Sequence, residues 1–167
     1  MGADLYIVEI SLPIQEWYEP LFDKAVRQRN LWPKGSEREQ KAHKDVVRYY
    51  NLMHAAGYFS DPYDASSLLK HLGLSWWSDV LPLCDQDRRL EDESLRKFRA
   101  MVGRNPVQYP TEEEFKKELV ALEDGRKSLD AWCRYFAAKH MTLMLFLDQA
   151  LLLDAAVHCS FGIPDGR

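Results

Sequence analysis

A dense group of aromatic and acidic side chains between residues 49 and 79 is the part of the sequence best suited to bind a ligand. Its aromatic members are Tyr49, Tyr50, Tyr58, Phe59, Tyr63, Trp76 and Trp77, and its carboxylates are Asp61, Asp64 and Asp79. Aromatic walls with carboxylates at the rim suit a flat or apolar ligand, or an anchor residue of a protein partner. The candidate ligand-binding residues are Tyr58, Tyr63, Trp76, Trp77, Asp61 and Asp64.

The same group has a purely structural interpretation, which we favour. Trp and Tyr bury a large area, so these rings would fasten short helices and a long turn onto the core. The aspartates would then be helix caps, because Asp is a preferred N-cap residue.

Metal binding has less support in the sequence than ligand binding. Hard cations require several oxygen ligands, and Asp61 and Asp64 lack the alternating acidic pattern and central glycine of a calcium loop. The Glu-x-x-His pattern of di-metal helical bundles does not occur either. We therefore predict no metal and no cofactor.

Sequence motifs for covalent catalysis are missing. The chain has no G-x-S-x-G, no phosphate-binding loop and no G-x-G-x-x-G. Its cysteines, Cys84, Cys133 and Cys159, form no C-x-x-C pair, and their odd number does not predict a disulfide framework. These absences do not exclude an enzyme, but they favour a non-enzymatic protein with reduced thiols.

A long helix from Ser128 to Cys159 is predicted to position the remaining elements. The segment contains no Gly or Pro, Ser128 is a suitable N-cap, and Asp130 in the first turn complements the helix dipole. Residues 143–147 are all apolar, so apolar groups point in every direction there. A helix that is apolar all round is either buried on all sides or contributes one face to an oligomer interface.

Two aspartates interrupt the apolar half of this helix. Asp148 and Asp154 must either point to water or find a partner on another element, because an unpaired buried carboxylate is costly. For Asp148 both alternatives stay open, including a raised pKa, and for Asp154, near the helix end, exposure to water is favoured.

The remaining elements are predicted to be helices and one short strand. Leu5–Ile10 is short, β-branched and aromatic, which is typical of a strand. Ser36 and Thr111 each precede a glutamate by three residues, which predicts two helix starts with capping boxes. Asp64 and Ser75 are predicted to cap two short helices, and Gly57 to end the helix that Ser36 begins.

Length and composition indicate one soluble domain. The chain has 167 residues, 46% of them hydrophobic, and a net charge of −4. Without a basic patch, nucleic acid is not expected as a partner. The apolar run in the long helix is too short to span a membrane, and the start of the chain has no secretory signal. We therefore predict a single domain over residues 1–167, a cytoplasmic location and no membrane association.

Three segments of the first half of the chain resemble an uncharacterised family of small bacterial proteins. The matching segments are Met1 to Asp4, within the start MGADLYI, then Gly57 to Tyr63 and Gly73 to Trp77. The resemblance implies a bacterial source and no particular activity.

Taken together, the sequence predicts a mainly α, single-domain helical bundle around a helix over about 128–159, with one short N-terminal strand. The expected function is a non-enzymatic interaction or structural protein that self-associates and binds an unknown protein partner. The alternative is a metal-assisted hydrolase or small-ligand binder that uses the aromatic and carboxylate cleft in residues 49–79.

Overall fold

A computed structural model describes the backbone of residues 2–122 and 128–162, and the side chains of all these residues except 118–122. The chain is mainly α-helical and carries a four-stranded sheet. It forms two compact units. One, the hairpin unit, is Tyr6–Tyr58, and the other, the main unit, combines Met1–Leu5 with Phe59–Arg167. No helix within the described residues has the length and apolar character needed to cross a membrane.

Two long helices that pack against each other form the hairpin unit. They are α1, Val8–Asn30, and α2, Glu37–Met53. The predicted start of α2 is confirmed, because the Ser36 hydroxyl accepts a hydrogen bond from the Glu39 backbone N–H at 3.2 Å. Its predicted end at Gly57 is wrong, since the helix stops at Met53.

Gly57 instead lies in a tight crossing with the start of α1. The buried Ser11 hydroxyl donates a hydrogen bond to the Gly57 carbonyl, and the Ile7 N–H donates to the same oxygen at 2.8 Å. Gly57 has a φ of +64°, and a Cβ there would lie 2.8 Å from Ser11 Oγ. The position therefore requires glycine for both its conformation and its space.

The first strand, β1, is Gly2–Ile7, earlier in the chain than the predicted Leu5–Ile10. Val8, Glu9 and Ile10 are helical, with Ile7 as the extended N-cap of α1. The β-branched residues favoured a strand there, but β propensity depends strongly on context. Burial alternates regularly along β1, with Ala3, Leu5 and Ile7 fully buried.

The sheet contradicts the expectation of one strand. The strands after β1 are β2, Tyr58–Pro62, β3, Arg89–Leu90, and β4, Val157–Phe161. They are arranged in the order β2-β1-β4-β3, and β3 pairs antiparallel with β4 through Arg89 opposite His158. Strands this short leave little alternation in the sequence, which is why the pattern did not reveal them.

Helical segments make up most of the main unit. They are α3, Leu68–His71, a π-turn at Trp76–Val80, a 3₁₀ turn at Leu81–Leu83, α4, Asp92–Arg104, α5, Glu112–Leu122, and α6, Leu129–Leu152. Three predicted starts are confirmed: the Ser75 hydroxyl caps the π-turn, Thr111 and Glu114 form a reciprocal capping box, and the Ser128 hydroxyl caps α6. Asp64 does not cap α3, whose N-cap is Ser67.

The long helix ends at Leu152, seven residues before the predicted Cys159. Asp154 has a φ of +51°, and the Ala155 N–H donates a hydrogen bond back to the Ala150 carbonyl at 2.9 Å. This is a left-handed helix stop made without glycine. The apolar residues after it form β4, so the prediction of helix through Cys159 is wrong.

The inner faces of α4, α6 and the sheet supply most of the core of the main unit. Its largest fully buried side chains include Leu5, Leu68, Leu69, Phe98, Phe136, Leu143 and Leu147. The prediction that α6 is a central helix agrees with this burial.

Candidate functional site

Asp61, one of the predicted ligand-binding residues, is completely buried at the end of β2. Its carboxylate accepts hydrogen bonds from the Leu68 and Leu69 backbone N–H groups at 2.7 and 3.2 Å and from the Ser67 hydroxyl at 2.8 Å. It therefore anchors the first turn of α3 from outside the helix.

Two side chains from more distant elements complete the surroundings of Asp61. Trp76 Nε1 donates to the carboxylate at 2.7 Å, and Lys139 Nζ of α6 forms an ion pair with it at 2.8 Å. The Lys139 side chain is only 12% exposed and lies over the rings of Phe59 and Tyr135. With five donors around two oxygens, the Asp61 carboxylate is saturated by the protein itself.

Tyr63 and Trp77 lie beside this cluster. The Tyr63 hydroxyl and Trp77 Nε1 are both buried, and neither makes a hydrogen bond of good geometry within the described residues. Burial raises the pKa of Tyr63, and the negative charges of Asp4 and Asp61 add to the effect, while the Trp77 indole opposes it. Trp77 also contacts the ring of Phe161 on β4, at a centroid distance of 5.9 Å.

Asp64 has a local role at the surface. Its Oδ1 accepts hydrogen bonds from the Ser66 backbone N–H at 2.8 Å and from the Ser66 hydroxyl at 2.6 Å. The Ser66 hydroxyl is the main reason that the pKa of Asp64 lies below its usual value. This is an Asx turn that leads the chain into α3.

Tyr58 belongs to the hairpin unit. Its ring packs against Tyr6 at 5.1 Å and His54 at 4.2 Å, measured between centroids. Of the six predicted residues, the structure brings Asp61 and Trp76 into direct contact and places Tyr63 and Trp77 together. The Asp64 carboxylate accepts its hydrogen bonds from the neighbouring residue Ser66. The described residues contain no group of three or more His, Cys, Asp or Glu side chains that could hold a metal ion.

A cavity of about 470 Å³ lies between α3, the segment before α5 and the first turns of α6. Its walls include Lys70, His71, Tyr109, Glu114 and Trp132. Trp132 is held edge-on between Phe115 and Phe136, at centroid distances of 5.8 and 5.7 Å. Its Nε1 is buried and has no acceptor in the described part of the chain. A buried indole N–H without an acceptor is uncommon and calls for a physical explanation.

His71 holds the wall of this cavity in place. Its Nδ1 lies 2.8 Å from the Gln108 carbonyl oxygen, and its Nε2 lies 3.0 Å from the Ala65 carbonyl oxygen. The Gln108 N–H donates back to the His71 carbonyl at 2.6 Å, and the His71 ring lies on Phe136. One side chain therefore ties two loops to α6 at the wall of the cavity.

The outer face of α6 is apolar and exposed. Met141, Leu145 and Leu152 are 60%, 61% and 88% exposed, and their spacing of four and seven residues places them on one stripe. Ala137 and Ala138 are also exposed, one turn before Met141. The sequence predicted apolar groups all round this half of the helix, and the structure buries only the opposite side.

Charged residues flank this stripe. Asp148 accepts two hydrogen bonds from Arg99 of α4, at 2.7 and 3.2 Å, which gives it the partner that the sequence could not identify. Arg134 forms an ion pair with Asp130 at 2.9 Å, one turn earlier on the same helix. All of these carboxylates and Arg134 stay at least half exposed, so they can make further contacts.

The residues that the sequence did not single out are Lys139, Lys70 and Trp132. Lys139 is a basic residue of α6, and its partner Asp61 lies 78 positions away in the sequence. Trp132 lies on the buried side of the same helix. The roles of Lys139 and Trp132 both depend on contacts between distant segments of the chain. The periodicity of apolar residues in the sequence does not predict such contacts.

Comparisons of the chain with protein-family models, with curated proteins and with solved structures gave no match.

Proposed function

We propose that the protein is a non-enzymatic, self-associating protein that pairs through the outer face of α6. The observation that carries this proposal is the exposed stripe of Met141, Leu145 and Leu152 on the most apolar helix of the chain. Large apolar side chains that share one face of a helix are typical of a surface covered by another protein.

A second copy of the chain is the occupant that the charges favour. Arg134 and Asp148 lie seven residues before and seven residues after Met141, on the same face. If two α6 helices cross antiparallel at Met141, each Arg134 therefore faces Asp148 of the other copy. The same arrangement sets Leu145 of one helix over Ala137 of the other, where a small side chain allows close approach. Such an interface is self-complementary, as a twofold dimer requires.

The mass of the protein in solution tests this proposal. Size-exclusion chromatography with light scattering is expected to give a dimer for the wild type and a monomer for Leu145→Glu, because two glutamates would face the partner helix. The residue is exposed, so the substitution should leave the circular dichroism spectrum unchanged. A charge reversal, Arg134→Glu, should weaken the dimer, and the combination with Asp148→Arg should restore it.

Leu31 offers a matched control, because it is an exposed leucine on another helix end, 74% accessible. Leu31→Glu should remain a dimer. A wild-type protein that is monomeric at all accessible concentrations would overturn the proposal, as would a dimer that Leu145→Glu does not disturb.

A second candidate function is the binding of a small organic carboxylate in the cavity beside Trp132. The unpartnered Trp132 N–H favours it, because a ligand oxygen would supply the missing acceptor. Lys70 lines the same cavity and forms no ion pair among the described residues, so its ammonium group could neutralise the carboxylate. The sequence also suggested a small-ligand binder, but this cavity and not the saturated Asp61 would be the binding site.

Indole N–H resonances in nuclear magnetic resonance spectra report this binding directly. Benzoate should shift the Trp132 resonance in a saturable way, whereas the neutral benzamide should not. Lys70→Gln should weaken the binding of benzoate, and Lys116→Gln, an exposed lysine on the neighbouring α5, should not. Equal shifts with benzamide, or an unchanged affinity for benzoate in Lys70→Gln, would contradict this candidate.

We propose a cytoplasmic protein of bacterial origin that folds as one domain and has a protein partner besides itself. Its low cysteine content without a disulfide framework supports the reducing compartment.

A further inference from the structure

Two cysteines far apart in sequence meet at the β3–β4 edge of the sheet. Cys84 follows the 3₁₀ turn and precedes a tight turn over residues 85–89. This turn is closed by the Asp85 N–H, which donates a hydrogen bond to the Arg89 carbonyl at 3.0 Å. Cys159 lies on β4, next to the residue that pairs with Arg89. The Cys159 N–H donates to the Arg88 carbonyl at 2.7 Å, so the backbone on both sides of the cysteine pair is fixed by hydrogen bonds.

The two thiols interact with each other and differ in their surroundings. Each also lies within hydrogen-bonding distance of a backbone carbonyl, Cys84 of Val80 at 3.6 Å and Cys159 of Val157 at 4.0 Å. Cys159 is fully buried, whereas Cys84 is partly open to solvent. The neighbouring Cys159 thiol, together with the positive charge of Arg88, lowers the pKa of Cys84, although burial opposes the shift. The same interaction and burial raise the pKa of Cys159. The accessible member of the pair is therefore the one that becomes the thiolate.

We propose that Cys84 and Cys159 form a reversible redox pair, in which Cys84 reacts with a hydroperoxide and Cys159 resolves the product as a disulfide. The placement of a partly accessible and a fully buried cysteine at one hydrogen-bonded turn beside β4 carries this proposal. Low-pKa, accessible cysteines next to a second cysteine are the arrangement that peroxide-sensing proteins use.

The chemistry balances with hydrogen peroxide as the only added reactant. The Cys84 thiolate attacks one peroxide oxygen, the O–O bond breaks, and hydroxide leaves, which gives a sulfenic acid at Cys84. The Cys159 sulfur, losing its proton, then attacks the Cys84 sulfur and displaces the hydroxyl group as water. Two thiols are oxidised to one disulfide, and one peroxide is reduced to two waters. A thiol reductant reverses the disulfide by exchange.

Peptide mapping of the full-length protein tests the proposal. The folded protein is treated with a small excess of hydrogen peroxide, denatured with N-ethylmaleimide present and digested with trypsin. The cysteines fall in separate tryptic peptides, residues 71–88 and 140–167. The expected product is these two peptides joined by a disulfide, lighter by two hydrogens than their sum and separated again by dithiothreitol.

The third cysteine provides the control. Cys133 lies on α6, so Cys133→Ser should form the same linked peptides at the same rate. In Cys159→Ser, Cys84 should remain a sulfenic acid that dimedone labels, whereas the oxidised wild type should take up little dimedone. The proposal is overturned if the wild type accumulates dimedone-labelled Cys84 without linked peptides, or if the linkage found involves Cys133.

Discussion

Replacing Asp61 by alanine should lower the free energy of unfolding more than replacing any other aspartate by alanine. The Asp61→Ala variant would leave the charge of Lys139, largely shielded from water, without its partner. Breaking a buried ion pair in this way costs about 3–5 kcal/mol. The orphaned Trp76 and Leu68 N–H groups add to that cost, although water entering the space left by the side chain offsets part of it.

We therefore expect a loss of roughly 4 kcal/mol in the free energy of unfolding, a large share of the total of about 5–15 kcal/mol for a domain. Asp61→Asn keeps one acceptor oxygen and should lose about half as much. Asp64→Ala is the matched control three residues away, and the loss of its surface turn should cost about 1 kcal/mol.

Urea unfolding followed by far-ultraviolet circular dichroism measures these differences. If Asp61→Ala fails to fold, Asp61→Asn and Lys139→Met still test the ion pair from each side. The double variant Asp61→Ala/Lys139→Met should lose less than the sum of the single variants, because it leaves no unpaired charge. A loss for Asp61→Ala no greater than that for Asp64→Ala would refute the reasoning and return Asp61 to the candidate ligand-binding residues.

Three further predictions concern single side chains. Ser66 lowers the pKa of Asp64 in the folded state, so the ionised carboxylate stabilises the fold above the unfolded pKa, and this contribution is lost as the pH falls through the folded pKa. In urea titrations, the difference in stability between wild type and Asp64→Asn should therefore shrink from pH 7 to pH 3. A constant difference would contradict this prediction. Because the pKa of Tyr63 is raised, wild type should contain a phenol that ionises above pH 10 in absorbance titrations and that Tyr63→Phe lacks. Asp154→Gly should raise the thermal unfolding midpoint by a few degrees, since the left-handed φ of +51° costs Asp about 1 kcal/mol relative to Gly; a lower midpoint would count against it.

Local signals in the sequence predicted the helix starts well. Ser36, Thr111 and Ser128 all cap helices as expected, because an N-cap acts on backbone groups two or three residues away. The mainly helical character follows from the same signals. These predictions succeed where the interaction that decides the structure lies within one turn of the residues that encode it.

The sheet and the candidate sites depend on distant contacts, and the sequence did not reveal them. Residues 155–159 continue the apolar pattern of α6, but pairing with Arg89 and Leu90 makes them a strand. Asp61 looked like a cap or a ligand at a rim, and Lys139 of α6 together with Trp76 makes it a buried anchor. Burial of one side of α6 by the rest of the main unit likewise decided which apolar residues stay exposed.

The position of β4 within the sheet has a consequence for synthesis of the chain. This strand comes last along the described residues, yet it lies between β1, the first strand, and β3. On the ribosome, β1 and β3 are complete long before the strand that joins them emerges. The α1–α2 hairpin can form early from local contacts, whereas the sheet can close only after Val157–Phe161 has been made. Until then the backbone N–H and C=O groups on the β4 side of β1 have no strand partner. We expect the nascent chain to need shielding by chaperones at that edge.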